Sequence, residues 1–279
     1  MTSALLALPR RTVGPVPFRV APLADAVAAV MAAAGEVRRT PSPGQAPSGV
    51  AVHFANAYTV ALADDDRGYA GLFSRGDAAV FTDGVPVAWA GRRFYPELAA
   101  DWERVYGPDV MTAVLDASTA EGPTHYLLGG SPQVLADLQQ AIAQRWPAAT
   151  IVGAESPPYR ALTDAERSAQ DARIADSGAQ IVWVGLGTPK QDWEVARIAA
   201  ELPVVAMAVG AAFDFLAGAT SQAPVWMQRS GLEWAYRLGT EPRRLGKRYL
   251  WGNPRFVLSA WRSRPRVRRG ADGSAGTAS

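Results

Sequence analysis

The chain has 279 residues, 48% hydrophobic and 19% charged, with a formal net charge of +2, which is ordinary soluble composition and excludes overall disorder. It has no cysteine and two histidines, His53 and His125, so disulfides, thiol nucleophiles, cysteine-ligated metals and multi-histidine metal sites are excluded. The length suits one large α/β domain or two small ones.

Along the chain no apolar run reaches about 18 residues, so no membrane-spanning helix is expected. The N-terminal MTSALLALPRR places its positive charges after a short apolar stretch, the wrong order for a secretory signal, and a cytoplasmic location is expected. Residues 1–45 contain several prolines and one alanine-rich helical stretch at 23–34, and read as a partly ordered extension. Residues 41–49 read as a loop. Short apolar runs then alternate with helical patterns. Strands are predicted at 50–54, 78–82, 125–128, 149–152, 181–186 and 204–209. Helices are predicted at 109–120, 131–145, 163–177 and 188–201. The runs show little alternation, as expected of strands covered on both faces. Repeated strand–helix order implies right-handed crossovers and a mostly parallel sheet. The expected fold is α/β, with this sheet and its helices over 46–222, a basic helical appendage over 223–269, and a disordered Gly/Ala/Ser/Thr tail over 270–279.

The modest net charge hides a split. From Trp226 to the end there are twelve Arg/Lys against three Asp/Glu, a net +9, which leaves −7 for the rest. Such a basic segment meets something anionic, or is a solvated tail. In EPRRLGKRYLWGNPRF, Arg243, Arg244, Lys247 and Arg248 fall on one helical face. Trp226, Trp234, Trp251 and Trp261 are interleaved with them, a mixture that suits a membrane interface. Nucleic acid is the other anionic partner, but no recognised nucleic-acid motif accompanies the charge.

Open parallel sheets bind ligands at the C-terminal ends of their strands, so candidates follow the apolar runs. Asp83, in Thr82-Asp83-Gly84, reads as a general base or as a turn residue. Gly129 and Gly130, before Ser131-Pro132, read as a phosphate-binding helix start or as a tight strand–helix turn. Gly185-Leu186-Gly187-Thr188-Pro189-Lys190-Gln191 lacks the third glycine of a dinucleotide fingerprint. Thr188 and Gln191 fit a capping box, and Gly187, Lys190 and Gln191 would stand near a diphosphate at that helix start. Asp214, between Phe213 and Phe215, reads as a ribose or base acceptor, or as part of a core-closing aromatic cluster. Arg104 reads as a phosphate clamp or as an ion pair with Glu103 or Asp101. Tyr159 and Arg160 lie on a proline-rigidified loop that could cover a ligand. Both histidines read as core residues.

The ordered set of segments NAYTVALA (56–63), FTDGVPVAWAGRR (81–93), ERVYGPDVM (103–111), YLLGGSPQVL (126–135), SPPYR (156–160), GLGTPKQDWE (185–194), GAAFDFLAG (210–218) and the basic stretch 223–256 resembles the WecG/TagA/CpsF family of bacterial glycosyltransferases. The resemblance runs over about residues 50–256. It implies a Rossmann-like core and inverting transfer from a UDP-sugar, with N-acetylmannosamine as the type sugar. It implies a polyprenyl-diphosphate-linked acceptor in cell-wall, capsule or exopolysaccharide synthesis. It also implies work without metal or cofactor, a peripheral position on the inner face of the cell membrane, and monomers or homo-oligomers. Asp83 would be the base. Arg104 and Gln191 would meet the pyrophosphate, helped by Lys190 and by Arg237, Arg243, Arg244 and Arg248. Asn56 and Asp214 would line the nucleotide-sugar cleft. Many relatives carry Thr where this chain has Phe54, which cannot donate that hydrogen bond. A nicotinamide-dependent oxidoreductase would share the sheet but should show G-x-G-x-x-G. A nucleic-acid-binding protein would use the basic end and show salt-sensitive affinity.

Overall fold

The computed structural model describes residues 3–37, 49–224, 226–227, 230–240 and 242–265, and of residues 237, 240, 242–245 and 247 the backbone alone. The tail expected at 270–279 and nearly all of the loop expected at 41–49 lie outside the described residues.

The N-terminal segment holds more than the single helix read from the sequence. Helix α1 (Ala4–Ala7) leads into an antiparallel hairpin of β1 (Arg10–Val13) and β2 (Val16–Arg19), followed by α2 (Leu23–Val37). The hairpin turns at Gly14, whose φ of 62° is a left-handed conformation that glycine adopts without a Cβ clash. Val13, Val16 and Phe18 are fully buried.

The main sheet has six strands: β3 (Val50–Ala55), β4 (Ala78–Thr82), β5 (Thr124–Gly129), β6 (Thr150–Glu155), β7 (Ile181–Gly185) and β8 (Val205–Ala208). Their order is β4-β3-β8-β7-β5-β6, and every pair is parallel. The fold is α/β and Rossmann-like, as expected. Strands β3, β4 and β8 are buried along their whole length, which explains why their sequences show no alternation. Val52, Phe54, Phe81, Trp183 and Met207 pack on one face of the sheet. Ala51, Val182, Val184 and Ala206 pack on the other, against Val195 and Ile198.

The connecting helices are α3 (Ala57–Asp65), α4 (Arg67–Ser74), α5 (Val85–Phe94), α6 (Gly107–Asp116), α7 (Pro132–Arg145), α8 (Asp164–Asp176), α9 (Lys190–Glu201) and the short α10 (Ala212–Leu216). Ser131 caps α7 by accepting from the Val134 N–H, with Pro132 in the first turn. Thr163 and Glu166 form a capping box on α8. The capping box expected at Thr188 is absent. Helix α9 begins at Lys190 without a side-chain cap, and Gln191 reaches back to the Gly187 N–H instead of the Thr188 N–H.

The basic end forms α11 (Glu233–Thr240) and the 22-residue α12 (Pro242–Ser263). Helix α12 lies against α3 and the hairpin. Its inward stripe is Gly252, Phe256, Ser259 and Ala260, a helical repeat. Phe256 and Ala260 are buried in the same cluster as Val13, Val60 and Tyr69. A Cβ on Gly252 would stand 3.0 Å from the Tyr58 ring, so glycine allows the close approach. Ser259 Oγ donates to Asp64 at 2.8 Å, and Arg255 pairs with Asp65. At the far end the Gly14 N–H donates to Ser263 Oγ at 2.7 Å. The opposite face presents Leu250, Val257 and Trp261 to solvent, at 82%, 64% and 58% exposure. No described helix is long and apolar enough to cross a membrane.

Candidate active site where two cavities meet

The C-terminal ends of β3, β4, β7 and β8 open into a cleft of about 850 Å³. This is the edge where parallel-sheet proteins bind ligands. A second cavity of about 500 Å³ lies beside it, between α5, the segment around Arg104 and the two C-terminal helices. The walls of both include Asn56, Tyr58, Asp83, Tyr106 and Arg248.

Asp83 therefore stands at the junction. It is the residue after β4, and parallel pairing of Ala55 with Thr82 sets it beside Asn56, the residue after β3. Asn56 is the N-cap of α3. Its Oδ1 accepts from the N–H groups of Tyr58 and Thr59, at 3.0 and 3.2 Å. That leaves its Nδ2 to donate to Asp83 Oδ2 at 3.1 Å. That bond fixes the Asp83 carboxylate beside the start of α3.

Across the cleft, the Gly187–Gln191 loop is held by one side chain. Gln191 is buried, its Oε1 accepts from the Gly187 N–H and its Nε2 donates to the Ala208 carbonyl, both at 3.0 Å. In this arrangement Gln191 shapes the loop that faces the cleft. Lys190 is exposed at the rim, with Nζ 4.8 Å from the centre of the Tyr159 ring. Tyr159 is fully exposed, which leaves its ring open to a ligand in the cleft. Asp214 lies in the cleft wall, while its neighbour Phe213 is buried and packs on Gly185, where a Cβ would be 2.8 Å away. Phe54 forms part of the floor and stacks on Phe81 with ring centres 6.1 Å apart.

Arg248 reaches the junction from α12 and stacks its guanidinium on the Tyr58 ring at 4.3 Å. The second cavity's remaining wall is largely aromatic and apolar, with Trp89, Trp234, Tyr249, Phe256 and Val257. Trp89 is 68% exposed.

Other candidates fall elsewhere. Arg104 lines the second cavity, not the cleft that holds Lys190 and Gln191. It pairs with Glu233 and Asp109, not with Glu103 or Asp101. Gly129 and Gly130 line neither cavity; a Cβ on Gly129 would meet the Gly185 carbonyl oxygen at 2.5 Å, and the Gly130 N–H donates to that same oxygen. They make the tight strand–helix turn. Arg160 turns to Glu166, away from the cleft. The side chains of Arg237, Arg243 and Arg244 lie outside the described set. Among the described residues no three His, Cys, Asp or Glu gather into a metal-binding group.

Sequence reading missed a buried network behind the cleft loop. Asp192, next to Gln191, faces His53 Nδ1 at 3.0 Å and accepts from the Tyr69 hydroxyl at 2.7 Å. Burial, then the Asp192 carboxylate, pushes the Tyr69 phenol well above its usual range. The network ties the first turn of α9 to β3 and α4. The other histidine is a core residue too. His125 accepts from Trp183 Nε1 at Nδ1 and lies 3.0 Å from Ser118 Oγ at Nε2, and burial lowers its pKa to about 4.

A carboxylate poised between a polar cleft and an apolar cavity suits transfer of a group from a polar donor to an amphiphilic acceptor. A family model described as the Glycosyl transferase WecG/TagA/CpsF family matches residues 13–270. The match reaches further toward both ends than the motif segments do, and it takes in the hairpin turn and the whole of α12. By that near-complete match, the chain belongs to the WecG/TagA/CpsF family of glycosyl transferases.

Proposed function

We propose that the protein transfers a sugar, N-acetylmannosamine or a related hexose, from a UDP-sugar to a polyprenyl-diphosphate-linked acceptor, with inversion, in cell-wall, capsule or exopolysaccharide synthesis. The observation that carries this reading is the place of Asp83 at the junction of the two cavities. The donor occupies the polar cleft and the acceptor the apolar cavity. Asp83 takes the proton of the acceptor hydroxyl, whose oxygen attacks the anomeric carbon as the bond to UDP breaks. An inverting displacement needs one such base. Charge developing on the UDP leaving group is met by Lys190 and Arg248. Asp214 accepts from the ribose hydroxyls, and the exposed Tyr159 ring covers the base. No metal or cofactor enters this scheme.

Leu250, Val257 and Trp261 form an exposed apolar stripe on a basic helix. That combination supports a peripheral position at the inner membrane face, where the acceptor's lipid would lie.

The test is calorimetry of UDP binding in EDTA with wild type and Asp83→Asn. The asparagine has the same shape but cannot act as the base. The reading expects metal-free UDP binding by both proteins and no transfer by the variant. Failure of the wild type to bind UDP under any condition would overturn the donor assignment.

A further inference from the structure

The second cavity is closed on one side by the start of α11, and one cluster fastens it. Arg104 donates to Glu233, the first residue of α11, at 2.5 Å, and the Tyr106 hydroxyl donates to the other Glu233 oxygen at 3.1 Å. The Arg104 guanidinium lies 3.8 Å from the centre of the Tyr106 ring, and its Nη1 is 3.8 Å from Asp109 Oδ2. The Arg104 and Glu233 side chains are only 16% and 18% exposed. Trp234 follows Glu233 directly, lines the cavity, and packs edge-on against Tyr249 of α12 with ring centres 5.9 Å apart.

An arginine facing two carboxylates and an aromatic ring already has its charge compensated. A diphosphate entering there would meet Glu233 and Asp109 as like charges. The same contacts make Arg104 a good mechanical anchor, because removing one member of a part-buried, charge-assisted pair leaves the other's charge without that compensation.

We infer that Arg104 is a positioning residue: through Glu233 it anchors the start of α11 and sets Trp234 as a wall of the second cavity, instead of binding a phosphate of the donor. The pyrophosphate role implied by the family resemblance is the competing outcome. The inference rests on the proposed transferase reading only for its activity readout.

The test combines amide hydrogen exchange over residues 233–240 with UDP calorimetry, for Arg104→Ala, Glu233→Ala, the double variant, Arg104→Lys and Glu233→Gln. Either alanine variant should lower protection of α11 about tenfold, and the double variant should lower it no further. Arg104→Lys should restore part of it. UDP affinity should stay within about twofold throughout. KM for the lipid-linked acceptor should rise about tenfold, with kcat changing much less. If Arg104→Ala fails to fold, Glu233→Gln carries the test, since it keeps the shape and removes the charge. Unchanged α11 protection in Arg104→Ala would overturn the inference. So would UDP binding weakened tenfold or more by Arg104→Ala and not by Glu233→Ala. If the wild type itself binds no UDP, the donor reading fails, while the exchange data still decide the anchor.

Discussion

Asn56 Nδ2 donates to Asp83 Oδ2 at 3.1 Å, while the other atom of the same amide caps α3. One side chain thus fixes both a helix start and the orientation of the proposed base. Asn56→Asp should keep the cap, since aspartate caps about as well as asparagine, and thermal stability should change little. It should place two carboxylates side by side, which disfavours ionisation of both. The acid limb of the rate profile should then move to higher pH by about one unit or more. Asn56→Ala should instead cost about 1 kcal/mol of stability through loss of the cap. Rate profiles and melting curves of the two variants separate these effects.

Gln191 bridges the Gly187 N–H and the Ala208 carbonyl from a buried position. Gln191→Glu keeps the acceptor but sets a carboxylate against that carbonyl. Leaving a buried acceptor without a donor costs about 1–3 kcal/mol. The loop should loosen, and UDP should bind at least tenfold more weakly by calorimetry.

A Cβ on Gly14 would stand 2.6 Å from Val60 and 2.8 Å from Ser259 Oγ, in a left-handed conformation. Gly14→Ala should therefore destabilise the protein by about 2 kcal/mol or more. It should also separate the hairpin from α12. Urea unfolding measures the first effect, and faster amide exchange at the C-terminal end of α12 shows the second.

His125 is buried and accepts a hydrogen bond at Nδ1, with its pKa lowered to about 4. In the unfolded chain it titrates near 6.5. Its neutral form stabilises the fold fully above that value, and the contribution is lost as pH falls from about 6.5 through about 4. The loss should reach about 3 kcal/mol, as an order of magnitude. His125→Gln should show a flatter decline of unfolding free energy over that pH range.

All six sheet strands were legible as short apolar runs; those buried on both faces are continuous, as AVHFA and IVWVG illustrate, while β6 at the sheet edge is only part-buried. The hairpin was not, because Pro15 and Pro17 interrupt the alternation of RTVGPVPFRV. Helix α12 was read as a charged appendage because its arginines dominate the composition. Its buried stripe of Gly252, Phe256, Ser259 and Ala260 was nevertheless present at helical spacing. Asp83 and Asn56 were both picked out, but their contact depends on β3 pairing with β4 in parallel, and strand order is not a local property. The second cavity was invisible for the same reason, since its walls come from segments more than a hundred residues apart.

Helix α12 carries Arg248 near one end and is tied by Ser263 to Gly14 at the other, with Phe256 in the core between them. It behaves as a rod clamped along its length. Any surface that captures Leu250 and Trp261 takes hold of the same rod that sets the arginine at the junction. Adsorption and site geometry are then mechanically coupled, and cutting the chain before this helix would expose the core as well as remove the handle.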